Sequence, residues 1–287
     1  MNKVQTALFE KPITEIIKIR KSIRSYKSEK MEDTLKNKLT EYMKSVETPF
    51  ASSVRLTIMD SDIMKSNGEI KLGTYGVIKG ASSFIVSAIN NDELSLLNLG
   101  YKLESVVLYA ASLGLGTCWL GGTFKKGEFS KAMELKDGEI LPIVSPIGYP
   151  SENKRILDTF MRTMAGSNNR LPWEKLFFED SFDKSLSKSS ADMYAEPLEM
   201  VRLAPSASNK QPWRILKQGN QWHFYINHAK GYSSALGFDM QKIDIGIAMC
   251  HFEMTLKELG ISGVWRKNNP KASVPDNNIE YVMTFTV

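Results

Sequence analysis

Three stretches of the sequence carry residue types at spacings that suit chemistry. In the first, Arg20, Ser22 and Arg24 take alternate positions of Arg20-Lys21-Ser22-Ile23-Arg24-Ser25-Tyr26. An extended backbone there turns all three side chains to one side. Two guanidiniums flanking a hydroxyl suit a phosphate dianion, because arginine grips phosphate oxygens in pairs. A solvated basic helix end, with Lys18, Arg20 and Lys21 complementing the helix dipole, is the plainer reading of the same residues. The second stretch is Gly114-Leu115-Gly116-Thr117-Cys118-Trp119-Leu120-Gly121-Gly122. Glycine lets backbone approach a ligand closely, and an N–H exposed in this way can donate to a ring nitrogen or oxygen. The glycines do not follow the G-x-G-x-x-G spacing of a dinucleotide fold, so that site is not indicated. The bland alternative is a helix stop at Gly114 followed by a small-residue packing contact.

The third stretch, Ala204-Pro205-Ser206-Ala207-Ser208-Asn209-Lys210-Gln211-Pro212-Trp213, packs prolines, hydroxyls, amides and an indole into ten positions. Pro205 and Pro212 fix φ and turn the residues before them away from helix. Asn209 tolerates left-handed geometry, and the Ser206 and Ser208 hydroxyls can bond nearby backbone. The stretch reads as a rigid loop that offers polar groups to a flat or anionic partner, or as an ordinary structured turn. A fourth, weaker feature is Ile147-Gly148-Tyr149-Pro150 with the cations Lys154 and Arg155 beyond it. No Ser-His-Asp order, catalytic-cysteine context, carboxylate pair or Walker loop stands out. An enzyme built from these parts would leave the hard chemistry to a cofactor.

Composition narrows the classes. The 287 residues suffice for one large domain or two small ones, with 42% hydrophobic and 24% charged residues, as in ordinary globular chains. The net charge of +5 is scattered, with no basic tail or aromatic-interleaved stripe, which argues against nucleic-acid binding. Cys118 and Cys250 lie far apart in apolar surroundings and read as buried thiols, with a single disulfide left open. His223, His228 and His251 lack metal-ligand spacing, and no metal is expected. The first residues show no signal-peptide apolar region, and a cytoplasmic location is expected.

The elements that must position these residues follow from periodicity. Pro12 precedes a short amphipathic helix carrying Ile13, Ile16 and Ile17, and a second helix covers 31–45 with Leu35, Leu39 and Met43 inward. Residues 54–59 and 84–89 read as strands, joined by a polar loop with Gly68, Gly73, Gly76 and Gly80. Leu99, Leu103, Val106, Ala110 and Leu113 then recur at helical steps, and Gly114 stops the helix. The run 105–124 lacks charge, but its glycines point to a helix buried in a protein core and not to a membrane span.

The pattern returns in the second half. Ile245, Met249, Phe252, Leu256 and Leu259 repeat the same steps, and Gly260 follows. An offset of 146 (246 − 100) superposes Gly100 on Gly246, Gly114 on Gly260 and Trp119 on Trp265 without a gap. Strand-like runs flank each copy, 84–89 and 140–144 in the first, 222–226 and 281–287 in the second. The shared order of elements predicts a duplication. The expected organisation is a first half over 1–155, a wrapping linker with aromatic islands over 156–190, and a second half over 191–287.

Together the residue 20–26, 114–122 and 204–213 motifs resemble the FMN-dependent nitroreductase family, and more narrowly its single-chain, TM1586-like branch. The resemblance implies an α+β nitroreductase-like fold. Its two duplicated α/β halves would form an intramolecular pseudo-dimer around mixed or antiparallel sheets. It also implies one complete FMN site and one decayed one, since only the first half has Arg-x-Ser-x-Arg and only the second has the full Pro-Ser-Asn-Gln-Pro-Trp loop. Carried over by residue, Arg20, Ser22 and Arg24 hold the FMN phosphate and ring edge, with Lys154 or Arg155 as a further cation. Backbone of Gly121 and Gly122 faces flavin N5. Pro205, Ser206, Ser208, Asn209 and Gln211 bring the loop to the ribityl chain and pyrimidine rim, while Trp213 packs beneath it. No side chain is expected to act as a catalytic acid or base. The implied activity is hydride transfer from NADH or NADPH through FMN to an electron-poor acceptor such as a nitroaromatic or quinone. A flavin carrier or sensor without turnover is the alternative. The expected partner is a small-molecule acceptor, with no nucleic acid or membrane. Monomeric pseudo-dimer and homodimer both stay open.

Overall fold

The computed structural model describes residues 9–65, 68–152, 169–229, 236–268, 270 and 272–287. In chain order the first elements are α1 (Ile13–Ile19), α2 (Asp33–Ser45), β1 (Val54–Asp60), β2 (Asp62–Lys65), β3 (Gly68–Lys71) and β4 (Ser83–Asn90). They are followed by α3 (Glu93–Ser112), β5 (Gly116–Thr117), α4 (Lys126–Met133), β6 (Glu139–Ile140) and β7 (Val144–Gly148). Next come β8 (Phe177–Glu179), β9 (Ser181–Ser185), α5 (Lys188–Ala191), α6 (Ala195–Leu203), β10 (Trp213–Gln218) and β11 (Gln221–Asn227). The chain closes with α7 (Met240–Glu258), β12 (Val264–Arg266) and β13 (Ile279–Thr286). It divides into two compact units, one of Ile19–Ala165 and one of Met1–Lys18 with Gly166–Val287.

In the unit Ile19–Ala165 the antiparallel order is β1-β4-β7-β5. Helix α3 packs on this sheet and on α2, where Tyr42 stacks on Tyr109 at 4.1 Å and its hydroxyl meets the Ser105 hydroxyl at 2.7 Å. Leu99, Leu103, Val106 and Ala110 are all buried, as the helical steps require. Two expectations are corrected. The polar loop after β1 contains a strand pair, β2 with β3, because residues 62–65 pair in antiparallel register with 68–71. The strand expected at 140–144 divides into β6 and β7, both paired with β4. Pro142 has no N–H for the ladder, and at the break the Ser87 hydroxyl donates to the Ile143 carbonyl at 2.6 Å and accepts from the Ile143 N–H at 3.3 Å.

In the other unit the order is β9-β8-β10-β11-β13-β12. Strand β8 runs parallel to β10, so the aromatic islands of the linker are part of this unit's sheet: Phe177 is fully buried and Trp173 nearly so. Helix α1 belongs here too, with the Ile13 N–H donating to Glu258 of α7 at 2.6 Å. Trp222, Phe224 and Phe285 meet Phe252 of α7 at ring separations of 5.5–5.7 Å. Met249, Phe252 and Leu256 are buried, whereas Leu259 lies past the end of α7 and is exposed.

The duplication is visible in the folds of the two units. Order β1-β4-β7-β5 is matched by β10-β11-β13-β12, with a helix between second and third strands in the chain each time. Both long helices end in the same left-handed turn, at Gly114 and Gly260, each with φ of 76°. Leu115 N–H donates to Ala110 C=O and Ile261 N–H to Leu256 C=O, both at 2.9 Å. This is the six-to-one bond of a Schellman cap, and glycine is the residue that adopts its conformation without strain. Among the described residues, no helix is long and apolar enough to cross a membrane.

Candidate functional site

Helix α1 stops at Ile19, and the basic residues after it run extended, not as a helix end. Ile23 N–H donates to Thr117 C=O at 2.8 Å, and Ser22 bridges Thr117 in parallel sense along the outer edge of β5. Further on, Tyr26 N–H donates to Lys79 C=O at 2.8 Å and Lys27 N–H to Tyr149 C=O at 3.0 Å. The glycine motif therefore seats the arginine motif. A Cβ on Gly116 would sit 2.8 Å from Ile23 Cγ1, closer than carbon atoms tolerate. Gly116→Ala is expected to cost about 1–3 kcal/mol by overpacking. Urea unfolding measures it, and a variant as stable as the parent would contradict the close seating.

The expected site residues in this unit then fall as follows. The Arg20 side chain is 9% exposed, its Nε lies 3.8 Å from Glu104 Oε1, and that Nε is buried without a hydrogen-bond partner. Glu104 is fully buried on α3 and accepts from the Trp119 indole at 2.9 Å. Ser22 and Arg24 are partly exposed on the same extended run. Gly121 and Gly122 follow the Leu120–Val144 bridge in a bend before α4, with Gly122 exposed. Extended geometry on the β5 edge thus brings Arg20, Ser22 and Arg24 alongside the strand that leads into Gly121-Gly122. Lys154 and Arg155 lie outside the described residues.

In the other unit, the loop 204–213 joins α6 to β10. Ser208, Asn209 and Gln211 have φ of 46°, 53° and 50°. Left-handed backbone costs a non-glycine residue on the order of 1–2 kcal/mol, so other contacts must hold it. Ser206 Oγ accepts from Gln211 N–H at 2.8 Å, and Asp244 Oδ1 accepts from Ala207 N–H at 3.0 Å. Asn209 and Gln211 turn toward the segment 169–171. Asn209 donates to Asn169 C=O and accepts from Arg170, while Gln211 donates to Asn169 C=O and accepts from Leu171 N–H. Gln211 is 3% exposed, and its amide is satisfied within the chain. Pro205 and Ser206 are half-buried, Ser208 is exposed, and Trp213 is fully buried at the start of β10.

Sequence reasoning missed Glu104, Asn98, Asp244 and Arg170. One signal was available for two of them: Asn98 and Asp244 stand 146 apart (244 − 98), the offset of the glycines. Each is a buried polar residue on the long helix that holds the loop before the first strand of its repeat, β1 or β10. Asn98 accepts from Phe50 N–H at 3.2 Å and donates to Phe50 C=O and to Ser52 Oγ at 2.8 and 2.7 Å. Asp244 accepts once, and its Oδ2 is buried without a partner. Burial pushes the Asp244 carboxyl well above the usual carboxylate range, against the Ala207 bond and with help from Asp239. At the positions that the offset aligns with Gly121 and Gly122 stand Lys267 and Asn268. Among the described residues, no segment pairs with the outer edge of β12 as residues 22–23 pair with β5. No group of three His, Cys, Asp or Glu side chains suited to a metal occurs among them either.

Comparison with known proteins agrees with this architecture. A putative nitroreductase (TM1586) from Thermotoga maritima MSB8 is 19% identical, with a TM-score of 0.62, over 100% of this chain and 98% of that one. A nitroreductase family protein from Clostridium novyi NT is 19% identical with a TM-score of 0.40, over 52% of this chain and 92% of that one. A putative nitroreductase in complex with FMN from Desulfovibrio desulfuricans is 20% identical with a TM-score of 0.38, over 53% of this chain and 95% of that one. No curated protein matches the sequence. The family model described as putative TM nitroreductase matches residues 12–256, which take in the whole first sheet and, of the second, β8 to β11 with most of α7. With that match over most of its length, the chain belongs to the putative TM nitroreductase family, a family of oxidoreductases.

Proposed function

We propose that the protein is an FMN-dependent oxidoreductase that passes hydride from NADH or NADPH to an electron-poor acceptor such as a nitroaromatic or a quinone. The observation that carries this reading is the extended run 20–26 seated on β5, in a chain of the nitroreductase family. The residues fit the group: an arginine Nε is buried without a hydrogen-bond partner, and a glycine-lined edge holds the run in place. FMN, when bound, supplies two-electron chemistry at its N5. In this proposal Arg20, Ser22 and Arg24 hold the phosphate and ring edge. Lys154 or Arg155 would add charge, and backbone N–H groups of Gly121 and Gly122 donate to the ring. Fixed donors of this kind favour a reduced, anionic ring because they need no reorganisation. In the loop 204–213, Pro205, Ser206 and Ser208 are the residues proposed for the ribityl side. A small-molecule acceptor would take the position that the nicotinamide leaves.

The purified protein is expected to be yellow, or to become so with added FMN. A preparation that stays colourless in the visible spectrum would sink the proposal. Bound flavin should bleach when NADH or NADPH is mixed in a stopped-flow instrument. Persistent oxidised flavin would instead select the carrier or sensor reading, which the internal use of the Asn209 and Gln211 amides favours. One FMN per chain is expected, because the second repeat lacks the glycine pair and its β12 edge carries no arginine run among the described residues. Two FMN per chain would refute the decayed second site.

A further inference from the structure

The segment 169–171 makes a set of polar contacts with the loop 204–213 and its entry. Arg170 spans the loop's base: Nη2 donates to Leu203 C=O, the end of α6, at 2.9 Å, and Nη1 donates to Asn209 Oδ1 at 2.5 Å. Asn169 C=O accepts from both amides, Asn209 Nδ2 at 2.7 Å and Gln211 Nε2 at 3.2 Å. Leu171 N–H donates to Gln211 Oε1 at 2.8 Å. The two amides that the loop's sequence offers to a ligand are thus spent on this segment. The three left-handed residues, Ser208, Asn209 and Gln211, stand at or between those contacts.

We infer that Arg170 is a positioning residue. With Asn169 and Leu171 it clips the loop 204–213 into its left-handed course, and Asn209 and Gln211 act by shaping the loop, not by touching a ligand. The segment between the halves is then a working part of the second half. What the clipped loop leaves exposed is Ser208, carried in its left-handed stretch, together with Lys210. A guanidinium suits this task because its fork reaches two acceptors at once, which a lysine ammonium on a flexible stem does not reproduce. The consequence for FMN rests on the flavin reading proposed above; the clip itself does not.

The test uses the full chain with Arg170→Ala, Arg170→Lys, Asn209→Ala and the Arg170→Ala/Asn209→Ala pair. Hydrogen exchange without FMN reads the clip alone. Arg170→Ala should speed exchange in the peptide covering 204–213 by about tenfold or more, the loss expected from charge-assisted bonds. A peptide from the middle of α7 should stay as protected as in the parent. Arg170→Lys should fall between, and it decides the matter should the alanine variant lose protection everywhere. FMN titration by fluorescence then reads the consequence. Both single variants should weaken binding by a similar factor, about tenfold, and the pair should be no weaker than the worse single, as groups in one network are not additive. Unchanged loop exchange in Arg170→Ala overturns the clip. Weakened FMN binding in Asn209→Ala alone overturns the indirect role of Asn209. A parent protein that binds no FMN, yet whose loop opens in Arg170→Ala, refutes the flavin reading and leaves the clip standing.

Discussion

Arg20→Ala is expected to destabilise the protein by about 3–5 kcal/mol, the usual result of removing one partner of a buried ion pair. Glu104 is fully buried, with the Trp119 indole on one oxygen and Arg20 at 3.8 Å from the other. Without the guanidinium, the buried carboxylate keeps the indole donor but loses the cation at 3.8 Å. That sum is a large share of the 5–15 kcal/mol that ordinarily separates folded from unfolded chains. Combining Arg20→Met with Glu104→Gln should recover most of the loss. The amide can still accept from the indole, and an apolar replacement of a buried pair is often close to neutral. Urea unfolding of the single and combined variants checks both statements. A single variant within about 1 kcal/mol of the parent would show that Glu104 does not depend on Arg20. The same geometry means that weak FMN binding by Arg20→Ala alone would not report on phosphate contact.

Asp244→Asn should make the protein less sensitive to rising pH. Burial raises the folded-state pKa of Asp244 well above the ordinary 3.8, and the Ala207 N–H offsets only part of that. A carboxyl with a raised folded value contributes its stability in full below the unfolded value and loses it as pH rises through the folded one. Parent and variant should therefore run parallel below about pH 4 and diverge above it. The divergence grows by up to about 1.4 kcal/mol per pH unit, in favour of the amide, until the folded value is passed. The acceptor for Ala207 N–H is retained, and asparagine is what the first half uses at the aligned position, Asn98. Unfolding curves at several pH values between 4 and 8 provide the check. Curves that stay parallel throughout would show that Asp244 titrates as an ordinary carboxylate.

The duplication and the helix stops were legible in the sequence because they depend on short-range rules and on the order of elements along the chain. Gly114 and Gly260 end helices through their own backbone freedom, and helical steps such as those of Leu99, Leu103 and Val106 mark a buried face wherever the helix lands. The Arg20-x-Ser22-x-Arg24 run was legible in spacing but not in state, since the same residues read as a helix end. The edge of β5 decided it, through Ile23 and Thr117. The strand expected at 140–144 was displaced because Pro142 interrupts a ladder whose partner, β4, could not be identified locally.

The motif residues could thus be singled out by type and spacing, while the partners that hold them came from far along the chain. Glu104 turns Arg20 from a surface cation into half of a buried pair across 84 positions (104 − 20). Asn169, Arg170 and Leu171 occupy the amides of Asn209 and Gln211. Asp244 reaches Ala207 from the middle of α7's first turns. Residue type and spacing set what each side chain can donate or accept. Which of those capacities remain for a ligand depends on who else is buried beside it, and burial is a property of the packed chain.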